Sequence, residues 1–388
     1  LIAHHCRLWS SASLILGLLA PAGICQPSAA VPPALKHRGV CYVSWLDRHV
    51  LLSEGSDARI DSLPVLGATW VSLRVTWQQT KFDVPSLYPC YFTPSDDALG
   101  HAVRRLHARN LKVMVTLVVD LADETGSDWR PGGGKWRGRI EFPTDELWGQ
   151  WFEAYERFAL HYARLCQELH VDLLCLGVEL TLCSTSQEGR WRDLIAKARA
   201  VYRGLLTYQA NWSPVTYDRS PAALIKAKQW HSEYRQVAFW DALDYAAVCT
   251  YFPLVVDPRP SLQQLEAAWK LWLGDLRDWQ TSHGRPVLLN EMGYHSCDGA
   301  AVRPWEHRMT GNVNFALQRD CYEAFMKTFW DEPWVAGVYW WFVGHPEESG
   351  VDENRTGFPF LGKPAEEVVR RWFTRSGNTA EVPVARAR

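Results

Sequence analysis

Eight short apolar runs recur along the chain, their starts roughly 40 residues apart, with stretches of helical period between them. They cover residues 39–43, 70–77, 112–121, 171–180, 205–211, 245–254, 286–294 and 335–343. Residues 287–289, Val-Leu-Leu, have the unbroken apolar character of a strand buried on both faces, as in parallel sheets. Strand and helix alternating eight times predict the α/β class and a single (β/α)8 TIM barrel with long βα loops. A doubly wound open sheet would place a Gly-rich fingerprint after its first strand, and none follows residue 43.

The intervening stretches carry helix signals. Thr93-Pro94 reads as an N-cap with proline at the first helical position, ahead of Leu99, Ala102, Val103 and Leu106 on one face. Ser261 and Gln264 have capping-box spacing before Leu265, Trp269, Trp272, Leu273 and Leu276. Trp148, Trp151, Phe152, Tyr155, Phe158, Ala159 and Tyr162 form a third stripe, read as a face packed on the sheet rather than a ligand box.

No linker rich in Pro, Gly or Ser interrupts residues 31–376, so one domain is expected there, with a disordered tail at 377–388. Residues 1–30 read as a secretory signal: Arg7, an apolar stretch over 8–20, then Ser28-Ala29-Ala30. That implies a secreted or periplasmic protein. The stretch is too short for a stable membrane span, and no later apolar run approaches that length. Ile24 is bulky where a lipid-anchor motif at Cys25 wants a small residue. A formal net charge of -2 gives no electrostatic reason to expect nucleic acid as a partner. The ten cysteines show no CxxC pair and fit no metal spacing, and no metal or organic cofactor is expected. Cys175 and Cys249 sit in apolar runs as small hydrophobes, while one or two disulfides are expected among the others outside the signal. A monomer is expected.

In a barrel of this kind chemistry sits where the strands end, so the residues finishing each run are the candidates. They are Arg74, Trp77, Asp120, Glu179, Asn211, Trp212, Tyr251, Glu291, Trp340 and Trp341. Glu179 follows DLLCLGV on the fourth strand much as Glu291 follows PVLLN on the seventh. Eight strands close into a barrel roughly 15 Å across, so strands three places apart lie about 14 Å from each other. Side chains reaching inward by about 4–5 Å each leave a gap of about 5 Å, the carboxyl separation of a retaining glycosidase. One carboxylate would attack an anomeric carbon; the other, its pKa raised by burial and a like charge, would protonate the leaving oxygen. The bland reading makes each glutamate half of a structural ion pair with Arg74 or another base. Twenty-one Trp point the same way as the acids, because flat indole faces stack on pyranose rings, although many must simply fill space around the barrel. Trp129, Trp136 and Arg137, in the long loop after the third strand, would wall the cleft for further sugar units, or belong to a plain surface loop. Asp120 would bind sugar hydroxyls or order that loop. Trp305 would add a subsite.

GVEL around Glu179, NEMGY around Glu291, VYWWF on the last strand and LDYAAVCTYFPL on the sixth together resemble glycoside hydrolase family 113 from about residue 39 to 373. The resemblance implies a clan A barrel acting on β-mannan, with Glu179 as acid/base and Glu291 as nucleophile. It further implies that Tyr251 hydrogen-bonds the nucleophile, Arg74 braces it, and Trp340 or Trp341 floors the subsite at the cleavage point. Val178 stands where the clan usually has an Asn that holds the sugar 2-OH; Asn211 is one group that could replace it. A secreted endo-β-1,4-mannanase acting by double displacement on mannan or manno-oligosaccharides is therefore expected. An exo-acting or glucan-directed β-glycosidase and a non-catalytic carbohydrate-binding barrel are the rivals.

Overall fold

The computed structural model describes residues 36–123, 136–213, 232–348 and 355–375. The expected signal, Cys25, the tail beyond residue 376 and Trp129 lie outside them.

Eight parallel strands close on one another. They are β1 (His37–Val43), β2 (Trp70–Gln79), β4 (Lys112–Leu121), β5 (Leu173–Val178), β6 (Leu205–Ala210), β7 (Ala246–Cys249), β8 (Val287–Met292) and β9 (Val335–Gly344). The order runs β1-β9-β8-β7-β6-β5-β4-β2, and β1 pairs with β2 to complete the ring. This is the (β/α)8 barrel, with each strand where the apolar runs put it. One strand was not anticipated: β3 (Leu87–Pro89) folds back antiparallel on the end of β2, pairing Leu87 with Gln79 and Pro89 with Trp77.

The helices pack their apolar stripes on the outside of the ring. In α3 (Asp145–Glu168) the stripe from Trp148 to Tyr162 is buried, as its period predicts. The capping box of Ser261 and Gln264 forms at the start of α7 (Leu262–His283). The start of α2 (Asp96–Ala108) differs from expectation, because Ser95 caps it by accepting from Ala98 N. Thr93 instead donates its hydroxyl to the Thr76 carbonyl and accepts from Cys90 N, tying the chain to β2 before the helix begins. The expected disulfides are absent among the described residues, where Cys41, Cys90, Cys166, Cys175, Cys183, Cys249, Cys297 and Cys321 are all free thiols. No helix among the described residues is long and apolar enough to cross a membrane.

The barrel interior changes character along its axis. At the N-terminal end of the strands His37 stacks on Trp70 with ring centroids 3.9 Å apart and bonds Tyr339 Oη at 2.8 Å, an aromatic plug. Higher up, Ser72 and Thr116 bond each other at 2.8 Å, and above them the interior opens into a cleft lined by Cys41, Arg74, Gln209, Glu291 and Trp341.

Candidate active site

Glu179 and Glu291 are aimed by the same local device. The ladder between β5 and β6 shifts register between Cys175 and Val178, and that between β8 and β9 shifts between Leu289 and Met292. Each shift is a bulge that breaks strict alternation. Both glutamates then sit in the left-handed region, Glu179 at φ 52° and Glu291 at φ 53°, a conformation that L side chains adopt at a cost. On β5 the bulge turns Gly177 toward the helices, where a Cβ would lie 2.8 Å from the Tyr155 hydroxyl and 3.0 Å from Tyr208. Only glycine fits there.

Both carboxyls are buried, and their surroundings differ. Glu291 faces Arg74 Nη1 at 3.8 Å and accepts a hydrogen bond from Gln209 Nε2 at 2.8 Å. Burial raises the pKa of Glu179 to about 7; Arg137 pulls it down, and the charge of Glu291 pushes it up. Arg137 Nη2 lies 3.8 Å from Glu179 Oε2 while its Nη1 donates to Asp120 Oδ1 at 3.0 Å. Asp120 therefore holds Arg137 against Glu179.

A third carboxyl supports the first. Glu233, in the short helix α6 (Glu233–Gln236), is fully buried and receives donors from Thr181 Oγ1 at 2.8 Å, Ser184 Oγ at 2.7 Å, Tyr208 Oη at 2.5 Å and Asn211 N at 2.8 Å. It anchors α4 (Thr181–Ser186), which begins two residues after Glu179, to the end of β6. Burial pushes its pKa up, against those donors.

The remaining candidates divide by the direction of their side chains. Trp341 lines the cleft, with the Arg74 guanidinium 5.1 Å from its ring centre. Trp340 does not: it is fully buried on the helix side, stacked on Tyr322 of α8 (Phe315–Phe329) at 3.9 Å and 10°. Adjacent residues on a strand face opposite ways, so only one of the pair can face the cleft, and it is Trp341. Trp77 is likewise turned outward, stacked on Phe158 of α3 at 4.8 Å, with its Nε1–H toward Tyr162 Oη. Trp212 is buried beneath Trp305, their rings 5.0 Å apart, which leaves Trp305 the partly open member. Trp136 is half-buried beside Arg137, whose guanidinium lies 5.8 Å from its ring. Asn211 spends its Oδ1 on Ser213 N at 2.7 Å, capping its own loop. Tyr251 lies near enough for the charge of Glu291 to add to the burial that raises its pKa. The hydrogen bond expected from it comes from Gln209 instead.

Gln209, Glu233, Asn290 and the thiol of Cys249 are the polar groups that strand-end reasoning missed. Gln209 and Asn290 lie inside strands and Cys249 closes β7, and an isolated amide or thiol in an apolar run carries no signal until its neighbours are known.

The family model for Glycoside Hydrolase Family 113 matches residues 43–349. Among solved structures, the GH113 β-mannanase of Alicyclobacillus acidocaldarius, in complex with ManMIm, is 26% identical. It superposes with a TM-score of 0.72 over 88% of this chain and 98% of its own. A GH113 β-1,4-mannanase at 21% identity gives 0.73 over 88% and 100%. The endo-1,4-β-D-mannanase of Thermotoga petrophila RKU-1, at 12% identity, shares the fold with a TM-score of 0.53 over 87% and 99%. No curated protein sequence matches the chain.

Proposed function

The chain belongs to Glycoside Hydrolase Family 113, and from that premise we propose that it is a retaining endo-β-1,4-mannanase using Glu291 as nucleophile and Glu179 as acid/base. The observation that carries this reading is the contrast between two convergent buried acids. Glu179 keeps its proton up to about pH 7, whereas Glu291 is met by a guanidinium and an amide donor, the partners of a carboxylate. Glu179 protonates the leaving oxygen as Glu291 attacks the anomeric carbon; Glu179 then takes a proton from the water that releases the sugar. Mannan is favoured because the β-mannanase of Alicyclobacillus acidocaldarius matches nearly end to end. The pattern of residues 1–30 supports export.

Digestion of mannan and of a β-1,4-glucan in parallel, followed by proton NMR, tests the reading. Internal cleavage of mannan with β-anomer appearing first is expected. Initial α-anomer, single-sugar release from chain ends, or preference for the glucan would overturn it.

Glu179 must be protonated for the first step, so kcat/KM falls above about pH 7. Arg137→Gln removes the cation that lowers this pKa, and the alkaline limb then moves to higher pH. A pH series on both proteins reads the shift; an unmoved limb would detach Arg137 from Glu179.

The two adjacent indoles separate in a second measurement. Trp341→Ala weakens substrate binding and turnover, since it removes a cleft surface. Trp340→Ala instead costs about 3–5 kcal/mol of stability through the cavity it leaves. Denaturant unfolding alongside KM distinguishes them, and the same profile for both would contradict their opposite directions.

A further inference from the structure

Three buried side chains that the double displacement does not use form a hydrogen-bonded group on Glu291. Gln209 Nε2 donates to Glu291 Oε2 at 2.8 Å and to Cys249 Sγ at 2.9 Å, and Gln209 Oε1 accepts from Asn290 Nδ2 at 2.6 Å. The Cys249 thiol lies near enough to Glu179 for the two to perturb each other's titration.

The direction of every bond in this chain follows from one constraint. An ionised carboxylate only accepts, so Gln209 must turn its NH2 toward Glu291. Its carbonyl then faces Asn290, which must answer with its own NH2. That leaves Asn290 Oδ1 pointing the other way, and it is buried without a hydrogen-bond partner. An orphaned buried acceptor is costly, and a Leu of the same shape would avoid it. Its presence is explained if the donor it supplies to Gln209 is needed.

We infer that Gln209, oriented by Asn290, is the positioning residue for Glu291. The inference rests on the roles proposed above for the two glutamates. Glu291 sits within the register shift of β8 at a positive φ, so its carboxyl is not held by regular strand geometry, and the Gln209 amide supplies the missing restraint.

The test uses leaving groups. A 2,4-dinitrophenyl β-mannobioside leaves without a proton, so its kcat/KM reports attack by Glu291 alone; an unsubstituted manno-oligosaccharide needs both acids. Gln209→Met, similar in shape but without the amide, should lower kcat/KM on the aryl substrate about 10- to 100-fold, the worth of one hydrogen bond to a charged group, with the loss in kcat rather than KM. Asn290→Leu should act in the same direction by freeing the amide to turn, and carries the test if Gln209→Met does not fold. Aryl-substrate rates for Gln209→Met and Asn290→Leu within threefold of wild type would overturn the inference, as would losses on both substrates that only track a lowered Tm. If Glu291→Gln hydrolyses the aryl substrate as wild type does, the assignment of the acids fails instead.

Discussion

Glu291→Gln loses turnover on the order of 10⁴- to 10⁶-fold on every β-mannoside, aryl or saccharide, while still binding manno-oligosaccharide. The amide has nearly the shape of the acid and can still present a carbonyl oxygen to Gln209 Nε2, so the cleft keeps its form. What it lacks is a nucleophile. Because Glu291 is proposed to form the covalent bond, no leaving group is good enough to bypass it. Glu291→Ala opens space beside Arg74, where an added azide ion can attack, and an α-mannosyl azide should accumulate. Kinetics on both substrate types, calorimetric titration with oligosaccharide and NMR of the azide product make the check. Residual activity on activated substrates above about one per cent of wild type would contradict the assignment.

Glu179→Ala separates the two substrate classes. Loss of a general acid costs about 10²- to 10⁴-fold where the leaving oxygen needs a proton and far less where it does not. Manno-oligosaccharide cleavage therefore collapses, while the first step on the dinitrophenyl substrate survives and release of the trapped sugar becomes slow. Azide accelerates that release without base assistance and should give a β-mannosyl azide, opposite to the product of Glu291→Ala. The alkaline limb near pH 7 should vanish with the group that causes it. Equal losses on both substrates, or a limb that stays in place, would show that Glu179 is not the acid.

The two acids were readable from the chain because each ends an apolar run with a charge that a buried strand has no structural reason to hold. Arg74 and Trp341 were readable for the same reason of position. Trp77 and Trp340 shared that position and face the helices. Period two tells that neighbours alternate and leaves open which neighbour points inward. Arg137 was visible as a loop residue, but its place between Asp120 and Glu179 is a contact across the fold that no local pattern records.

Alternation of apolar runs and amphipathic stretches was enough, without coordinates, to specify a closed eight-stranded barrel, its helix faces and the acids at its mouth, because burial imposes those periods locally on the chain. Which side chains meet inside the barrel was decided only in three dimensions. The bulges on β5 and β8, the inward turn of Trp341 and the hydrogen bond from Gln209 to Glu291 all arise from pairing between strands distant in sequence, and local periodicity carries no record of that register.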